Sequence, residues 1–198
     1  MLELLTGTGL AAAAGLNAYI PLLAIGLASR FLDVVQLPPG WVWLENPWVL
    51  GILGVLLVIE LVADKIPAVD SVNDWIQTVV RPASGGIVFG SGSASETAAV
   101  TDPEAFFGSN QWVPIVVGIM IALAIHLAKM AARPALNLVT AGLAAPVAST
   151  VEDVASVVLS VLAVLIPVLV VLAIPALVIG AVLAIRAVRR RRAIRQLA

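Results

Sequence analysis

The chain has no cysteine, one histidine and, at Lys65 and Lys129, its only lysines. Without cysteine there are no disulfides, no thiol nucleophile and no Cys-ligated metal. Charged residues make up only 12% of the chain, about half the share of a soluble domain, roughly 25%. No HExxH, GxSxG or phosphate-loop pattern occurs, and the Gly-rich "SGGIVFGSGS" is not followed by GK[ST]. No enzymatic activity, cofactor or nucleic-acid partner is therefore expected. The opening "MLELLTGTGL" lacks the basic region of a signal peptide, so no cleavage is expected.

What is abundant is apolar sequence. Hydrophobic residues reach 61% and the mean hydropathy is +1.09. Several apolar runs approach or exceed the roughly 17–25 residues that cross a bilayer. The expected fold is all-α: a polytopic transmembrane bundle of about six membrane segments, some broken or re-entrant. Residues 1–188 form one transmembrane domain and 189–198 a basic tail. Clean spans are read at 47–63 and 112–131. Segment 2–29 is broken at "GLNAYIP", segments 67–92 and 134–150 are weaker, and 151–188 is too long for one straight span. Pro167 and Pro175 kink or divide that last segment. Trp41, Trp43 and Trp48 suggest an interfacial belt.

Charge distribution sets the orientation. Residues 93–111 contain no Lys or Arg, whereas Arg186, Arg189, Arg190, Arg191, Arg192 and Arg195 crowd the C-terminus. The positive-inside rule places that tail in the cytoplasm and the 93–111 loop outside. With six crossings, both termini are cytoplasmic.

An internal repeat is visible at an offset of 64 residues, laying 46–82 over 110–146. Asn46, Trp48, Val49, Gly54, Lys65, Ala68, Asn73 and Pro82 recur as Asn110, Trp112, Val113, Gly118, Lys129, Ala132, Asn137 and Pro146. Each unit reads as a strong span followed by a weak, broken one. Transporters are often built from such duplications, with the site at the repeat interface.

The polar residues concentrate near the ends of the strong spans. Glu60 and Asp64 are four apart and share a helix face. An acid at the bilayer centre costs about 2.5–3.5 kcal/mol, against a gain of about 0.3–0.6 kcal/mol for each Val, Leu or Ile. Residues 47–63 hold eleven of those, so the span inserts despite Glu60. Asp70, Asn73, Asp74 and Gln77 fall on one stripe, and Val69, Val72, Ile76 and Val79 on another. That pattern also fits a helix lying on the membrane surface. In the second unit, His126, Lys129 and Arg133 form a cationic stripe. Glu152 and Asp153 follow in the next apolar segment.

Candidate ion-binding residues are therefore Glu60, Asp64, Asp70, Asn73, Asp74, His126, Lys129, Arg133, Asn137, Glu152 and Asp153, with Asn17, Lys65 and Arg81 secondary. Intramembrane charges usually face the bundle interior and pair. Here six acids (Glu60, Asp64, Asp70, Asp74, Glu152, Asp153) meet four bases (Lys65, Arg81, Lys129, Arg133). A bound cation, on Glu60 and Asp64 first, or protons would fill the deficit. His126 is expected to titrate near neutral pH. Carbonyls freed at the breaks, with the Asn17 and Asn137 amides, are expected to face a solute.

"GLNAYIPLL", "ELVADKIPAVDSVNDWIQTVVRP" and "HLAKMAARPALN…STVEDV" resemble the bacterial integral-membrane family called domain of unknown function 4126, over nearly the whole chain. That resemblance implies a bacterial cytoplasmic-membrane protein and no particular activity. "ELVADK" is also similar to the Glu-x-Gly-Asp-Lys-Thr/Ser signature of calcium/manganese–proton exchangers, which implicates Glu60 and Asp64. Ala63 and Ile66 depart from it, and the second unit's "AIHLAK" lacks both acids.

Three functions follow in order. The first is a small transporter or channel moving a cation or a proton-coupled solute past the carboxylates. The second is a transporter or flippase of an anionic lipid or solute, using Arg81, Lys129 and Arg133. The third is a non-transporting scaffold whose "RRRR" tail meets anionic lipid or a partner. Membrane lipids are expected partners, as is a second copy of the chain in a homo-oligomer.

Overall fold

In the computed structural model, residues 1–32, 35–93, 112–140 and 144–197 are described. All regular structure among them is helical: α1 (Leu2–Leu16), α2 (Tyr19–Leu32), a 3-10 helix (Pro39–Glu45), α3 (Pro47–Ala63), α4 (Pro67–Gly92), α5 (Trp112–Thr140), α6 (Ala144–Leu165), a 3-10 turn (Pro167–Leu169) and α7 (Val170–Leu197).

α1 is the axis of the bundle. Its sequence "TGTGLAAAAGL" joins alanine, the best helix former, to small residues that let neighbours close in. Thr6, Gly7 and every residue from Gly9 to Leu16 are buried, and α4, α5 and α6 sheathe it. A helix apolar on all sides belongs in such a position. It stops at Asn17, whose backbone is extended at φ −145° and ψ 125°. The Asn17 Oδ1 then accepts the amides of Tyr19 (3.1 Å) and Ile20 (3.2 Å), starting α2. The break expected within "GLNAYIP" is where the sequence placed it.

The contacts fix directions. Gly7 lies on Phe89, and the Gly15 carbonyl accepts from Arg81, so α1 runs antiparallel to α4. Gly85 meets Gly118 and Arg81 meets His126, so α4 is antiparallel to α5. α2 turns back: Gly26 lies against Leu44, Arg30 donates to the Glu45 carbonyl, and Trp41 covers Gly90. The α1–α2 pair is thus a hairpin that returns to the end of the bundle where it began. α7 starts at that same end, where Val170 lies on Gly9, and by Leu177 it reaches the cluster around Leu16 and Leu159.

The start of α1 lies at the end of the bundle holding Gly92 and Leu165, and α7 leaves toward the opposite end. The hairpin is the reason: its two apolar segments run out and return. By length and composition, Trp112–Ala132 and Pro146–Leu165 can each cross a membrane, and the bent pair Pro39–Glu45 plus Pro47–Ala63, angled by 63°, makes a third. Leu2–Leu16, Tyr19–Leu32 and Pro167–Gly180 are apolar but shorter.

Three local expectations change. Segment 67–92 is not broken; α4 is one helix with Pro82 inside it. The offset-64 alignment pairs different settings, since Lys65 sits in the turn after α3 while Lys129 lies within the continuous α5. Trp41 is buried in the core rather than belted at an interface, whereas Trp43 and Trp48 are exposed. The segment 151–188 is two helices, divided at Ile166–Leu169. The 93–111 loop lies outside the described residues, apart from Ser93, which caps α4.

The exposure pattern is inverted relative to a water-soluble protein. Arg81 is 0% exposed, Glu60 2% and His126 0%, while Trp75 is 74% and Val79 73% exposed. α4 turns Asp74, Gln77, Arg81 and Ser84 inward, and Val72, Trp75, Ile76 and Val79 outward. An apolar outer face around a charged interior is what a bilayer selects. It also excludes the surface-helix reading of α4, which needs the polar stripe to face water.

The tightest contact is α4 against α5. A methyl group added at Gly85 would sit 2.7 Å from the Gly118 carbonyl, so backbone would have to move. Gly118→Ala, directed at Gly85 O, is expected to destabilise by about 1–3 kcal/mol. Gly51→Ala, in open space, should change little. Thermal unfolding in detergent distinguishes them; equal melting temperatures would refute the close approach.

Candidate functional site

Around the α1–α2 break, side chains from α3, α4, α5 and α6 form one polar network. At its centre Arg81 Nη2 donates to Glu60 Oε1 at 2.9 Å and lies 3.7 Å from Asp64 Oδ2. Asp64 Oδ2 is also 3.7 Å from Lys129 Nζ, which reaches Glu152 Oε2 at 2.7 Å. The result is an alternating row, Glu60–Arg81–Asp64–Lys129–Glu152. Asn73 Nδ2 donates to the second oxygen of Asp64 at 2.7 Å. Beside this row, Lys65 Nζ bonds Asp153 Oδ2 (3.2 Å) and Ser149 Oγ (2.8 Å). Asp153 Oδ1 accepts from the Asn17 amide at 3.1 Å.

Local sequence explains these positions. Asn46 caps α3 by accepting from Trp48 N at 2.9 Å, with Pro47 at the first helical position. Counting from there, Glu60 falls on the inward face and Asp64 on the C-cap. Pro67 restarts the chain as α4, whose period carries Asp74, Gln77, Arg81 and Ser84 along one inward line.

The backbone of the break is part of the network. The last carbonyls of a helix lack intrahelical partners and carry its negative dipole end. Arg81 Nη1 donates to Gly15 O and Lys129 Nζ to Leu16 O, each at 3.5 Å. Ser156 Oγ donates to Ala13 O at 3.0 Å and Ser84 Oγ to Ala18 O at 2.5 Å. The freed carbonyls expected to face a solute are therefore taken by the protein's own cations and hydroxyls. Asn17 likewise spends its amide on capping α2 and on Asp153.

His126 is assigned by its partners. Its Nδ1 lies 3.3 Å from Arg81 Nη1 and its Nε2 3.1 Å from Thr78 Oγ1. A guanidinium only donates, so Nδ1 accepts. The Thr78 hydroxyl donates to Asp74 O at 2.8 Å, so Nε2–H donates to Thr78. This is the neutral Nε2–H tautomer, and it places His126 as a brace for Arg81.

Of the residues singled out in the sequence, Glu60, Asp64, Asn73, Asp74, His126, Lys129, Glu152, Asp153, Asn17, Lys65 and Arg81 are all in or beside this network. The side chains of Asp70, Arg133 and Asn137 lie outside the described residues. Arg81, ranked as secondary, is the hub. Tyr19, Thr78, Ser84, Ser149 and Ser156 were missed as site residues, and Gln77 was noted only as part of a stripe. Gln77 is buried on the inward face of α4; the α4 period already pointed to it, whereas nothing local marked the serines. Among the described residues, no three His, Asp or Glu side chains are grouped as metal ligands. Glu60 and Asp64 face Arg81 instead.

The family model described as "Domain of unknown function (DUF4126)" matches residues 4–189, and the chain belongs to that family. No curated protein and no solved structure matches it.

Removing one partner of a buried ion pair leaves a charge uncompensated, at about 3–5 kcal/mol. Arg81→Met is expected to lower stability by that order. Adding Asp64→Asn to Arg81→Met should recover part of the loss. Chemical denaturation of the single and double variants measures this; a double variant no more stable than the single would refute charge imbalance as the cause.

Proposed function

We propose that this member of the family is a membrane transporter that moves protons or a small cation through the buried network, with Glu60 and Asp64 as the ion-carrying groups. One observation carries the reading. Arg81 and Lys129, both buried, each lie between two carboxylates from different elements, so Glu60, Asp64 and Glu152 are joined through them into one network. Carboxylates crowded in a low-dielectric interior favour an added positive charge on one another, which suits them to take up protons or a small cation. Transport of an anionic lipid or solute is less well supported, because Arg81 and Lys129 already hold carboxylates and carbonyls.

The arrangement suits coupling. Each central cation serves two acids from different elements: Arg81 of α4 serves Glu60 and Asp64, and Lys129 of α5 serves Asp64 and Glu152 of α6. Neutralising one acid shifts both cations and with them the helices that carry them. The re-entrant hairpin, whose end both cations cap, moves in the same step.

In this reading α3, α4, α5, α6 and α7 cross the bilayer and the α1–α2 hairpin re-enters. α3 and α4, with 17 and 26 residues, are about 25 and 39 Å long at about 1.5 Å per residue. Five crossings put the two ends on opposite sides. By the positive-inside rule, Lys65, Lys129 and the arginines of α7 favour a cytoplasmic C-terminal end.

Two measurements test the proposal. With the purified protein in liposomes, a pH or cation gradient should drive flux that Asp64→Asn and Glu60→Gln abolish, while Glu3→Gln, on an exposed residue, leaves it unchanged. Absence of flux for protons and for every cation tried would sink the transport reading. For topology, single cysteines introduced at positions 3 and 196 should label from opposite sides of the membrane. Labelling from the same side would overturn the five-crossing arrangement.

A further inference from the structure

We propose that Glu60 is the proton-carrying group of the network, held as a neutral carboxylic acid with its proton on Oε2 and the neighbouring Gln77 Oε1 as acceptor, so that the transported or coupling ion is the proton. This deepens the transport reading and rests on it.

The geometry separates Glu60 from the other acids. Asp64 has Asn73, Arg81 and Lys129 around it. Asp153 uses both oxygens, on Asn17 and Lys65. Glu152 is held by Lys129 at 2.7 Å and is partly exposed. Glu60 differs: Oε1 accepts from Arg81, while Oε2 is buried with no hydrogen-bond partner. Gln77 Oε1 is likewise buried and unpartnered. Both residues are 2% exposed.

Register brings the two orphans toward one another. Gln77 stands four residues before Arg81 on the same inward face of α4, and Arg81 holds Glu60 at 2.9 Å. Tyr19 lies within electrostatic reach of Glu60. As placed, both atoms are acceptors, so either the Gln77 amide turns its NH2 toward Glu60 or one of the two gains a hydrogen, and the infrared band below tells these apart. A proton on Glu60 Oε2 supplies that hydrogen: the acid donates to the Gln77 amide oxygen and Oε1 continues to accept from Arg81. A metal cation would have to be bound by one carboxylate oxygen and one amide oxygen, with the cationic Arg81 alongside. The proton is the ion that fits.

The charged and titratable groups facing Glu60 are Arg81 from α4, Asp64 from the α3 C-cap, Lys129 from α5 and Tyr19 from α2. With Glu60 neutral, Arg81 is free to compensate Asp64. Loss of the proton makes Glu60 compete with Asp64 for Arg81.

Infrared difference spectroscopy of the reconstituted protein tests this. At neutral pH the wild type should show the carbonyl stretch of a protonated carboxylic acid. Glutamate labelled with carbon-13 should shift that band, Glu60→Gln should remove it, and Gln77→Leu should move it to higher frequency by removing its acceptor. Because Gln reproduces a neutral, donating side chain, Glu60→Gln is expected to fold with a melting temperature near the wild type. No such band, a band unmoved by labelled glutamate, or a band that persists in Glu60→Gln would overturn the inference. The band with its expected shifts, but no flux in liposomes, would uphold the proton on Glu60 while sinking the transport reading.

Discussion

A helix end buried in the middle of a bundle is the constraint from which the rest of this structure follows. α1 stops at Leu16, surrounded by α4, α5 and α6, with carbonyl groups that water cannot reach. In a low-dielectric interior each needs a donor. The chain supplies Ser156 for Ala13, Arg81 for Gly15 and Lys129 for Leu16. Using cations there also complements the helix dipole. Two buried cations, however, require buried anions, and Glu60, Asp64 and Glu152 answer them. His126, Thr78 and Asn73 then complete the hydrogen bonds of those charges. The network is a cascade started by one interrupted helix.

Close packing makes the cascade geometrically feasible. Long side chains such as Arg81 and Lys129 reach α1 only because α4 and α5 approach without side chains between them, at Gly85 and Gly118. Gly15 in turn lies on Ala122 and Ile125, which sets the end of α1 beside His126 and Lys129. Small residues at helix contacts and polar residues at the core are two halves of the same arrangement. The outward faces of α3, α4 and α6 are left to valine, isoleucine, leucine and tryptophan.

Much of this was legible in the residues. The membrane class followed from composition, and the break at Asn17 from Gly and Pro around a lone Asn. The inward stripe of α4 followed from the spacing of Asp74, Gln77 and Arg81. The meeting of acids from the first unit with bases from the second followed from the cost of leaving a charge unpaired. Other features were not legible, for identifiable reasons. Hydropathy counts apolar segments but cannot tell a straight path from a hairpin, so the return of α2 alongside α1 was not foreseen. Pro82 suggested a break, yet α4 continues through it, because buried helices can satisfy the backbone groups that proline frees. The offset-64 match captured residue types without capturing shape: Pro67 restarts the helix just after Lys65, and nothing equivalent follows Lys129. Trp41 resembled its neighbours Trp43 and Trp48, and only the glycine at position 90 gives it a place to bury.

The row Glu60–Arg81–Asp64–Lys129–Glu152 has acids at both ends and one fewer cation than acids. Such a row has no single best pairing. Each cation sits between two carboxylates on different elements, at 2.9 and 3.7 Å for Arg81 and at 3.7 and 2.7 Å for Lys129. In both cases the longer distance is to Asp64, so the outer acids hold the cations more closely than the middle one does. With Glu60 neutral, Arg81 keeps a hydrogen bond to Oε1 but its charge is left to Asp64, on which it can close. Lys129 is then released further toward Glu152, at the more exposed end of the row. A proton arriving at one end is thereby felt as charge at the other, three helices away. The same two cations cap the end of α1, so any such shift also tightens or loosens the re-entrant hairpin.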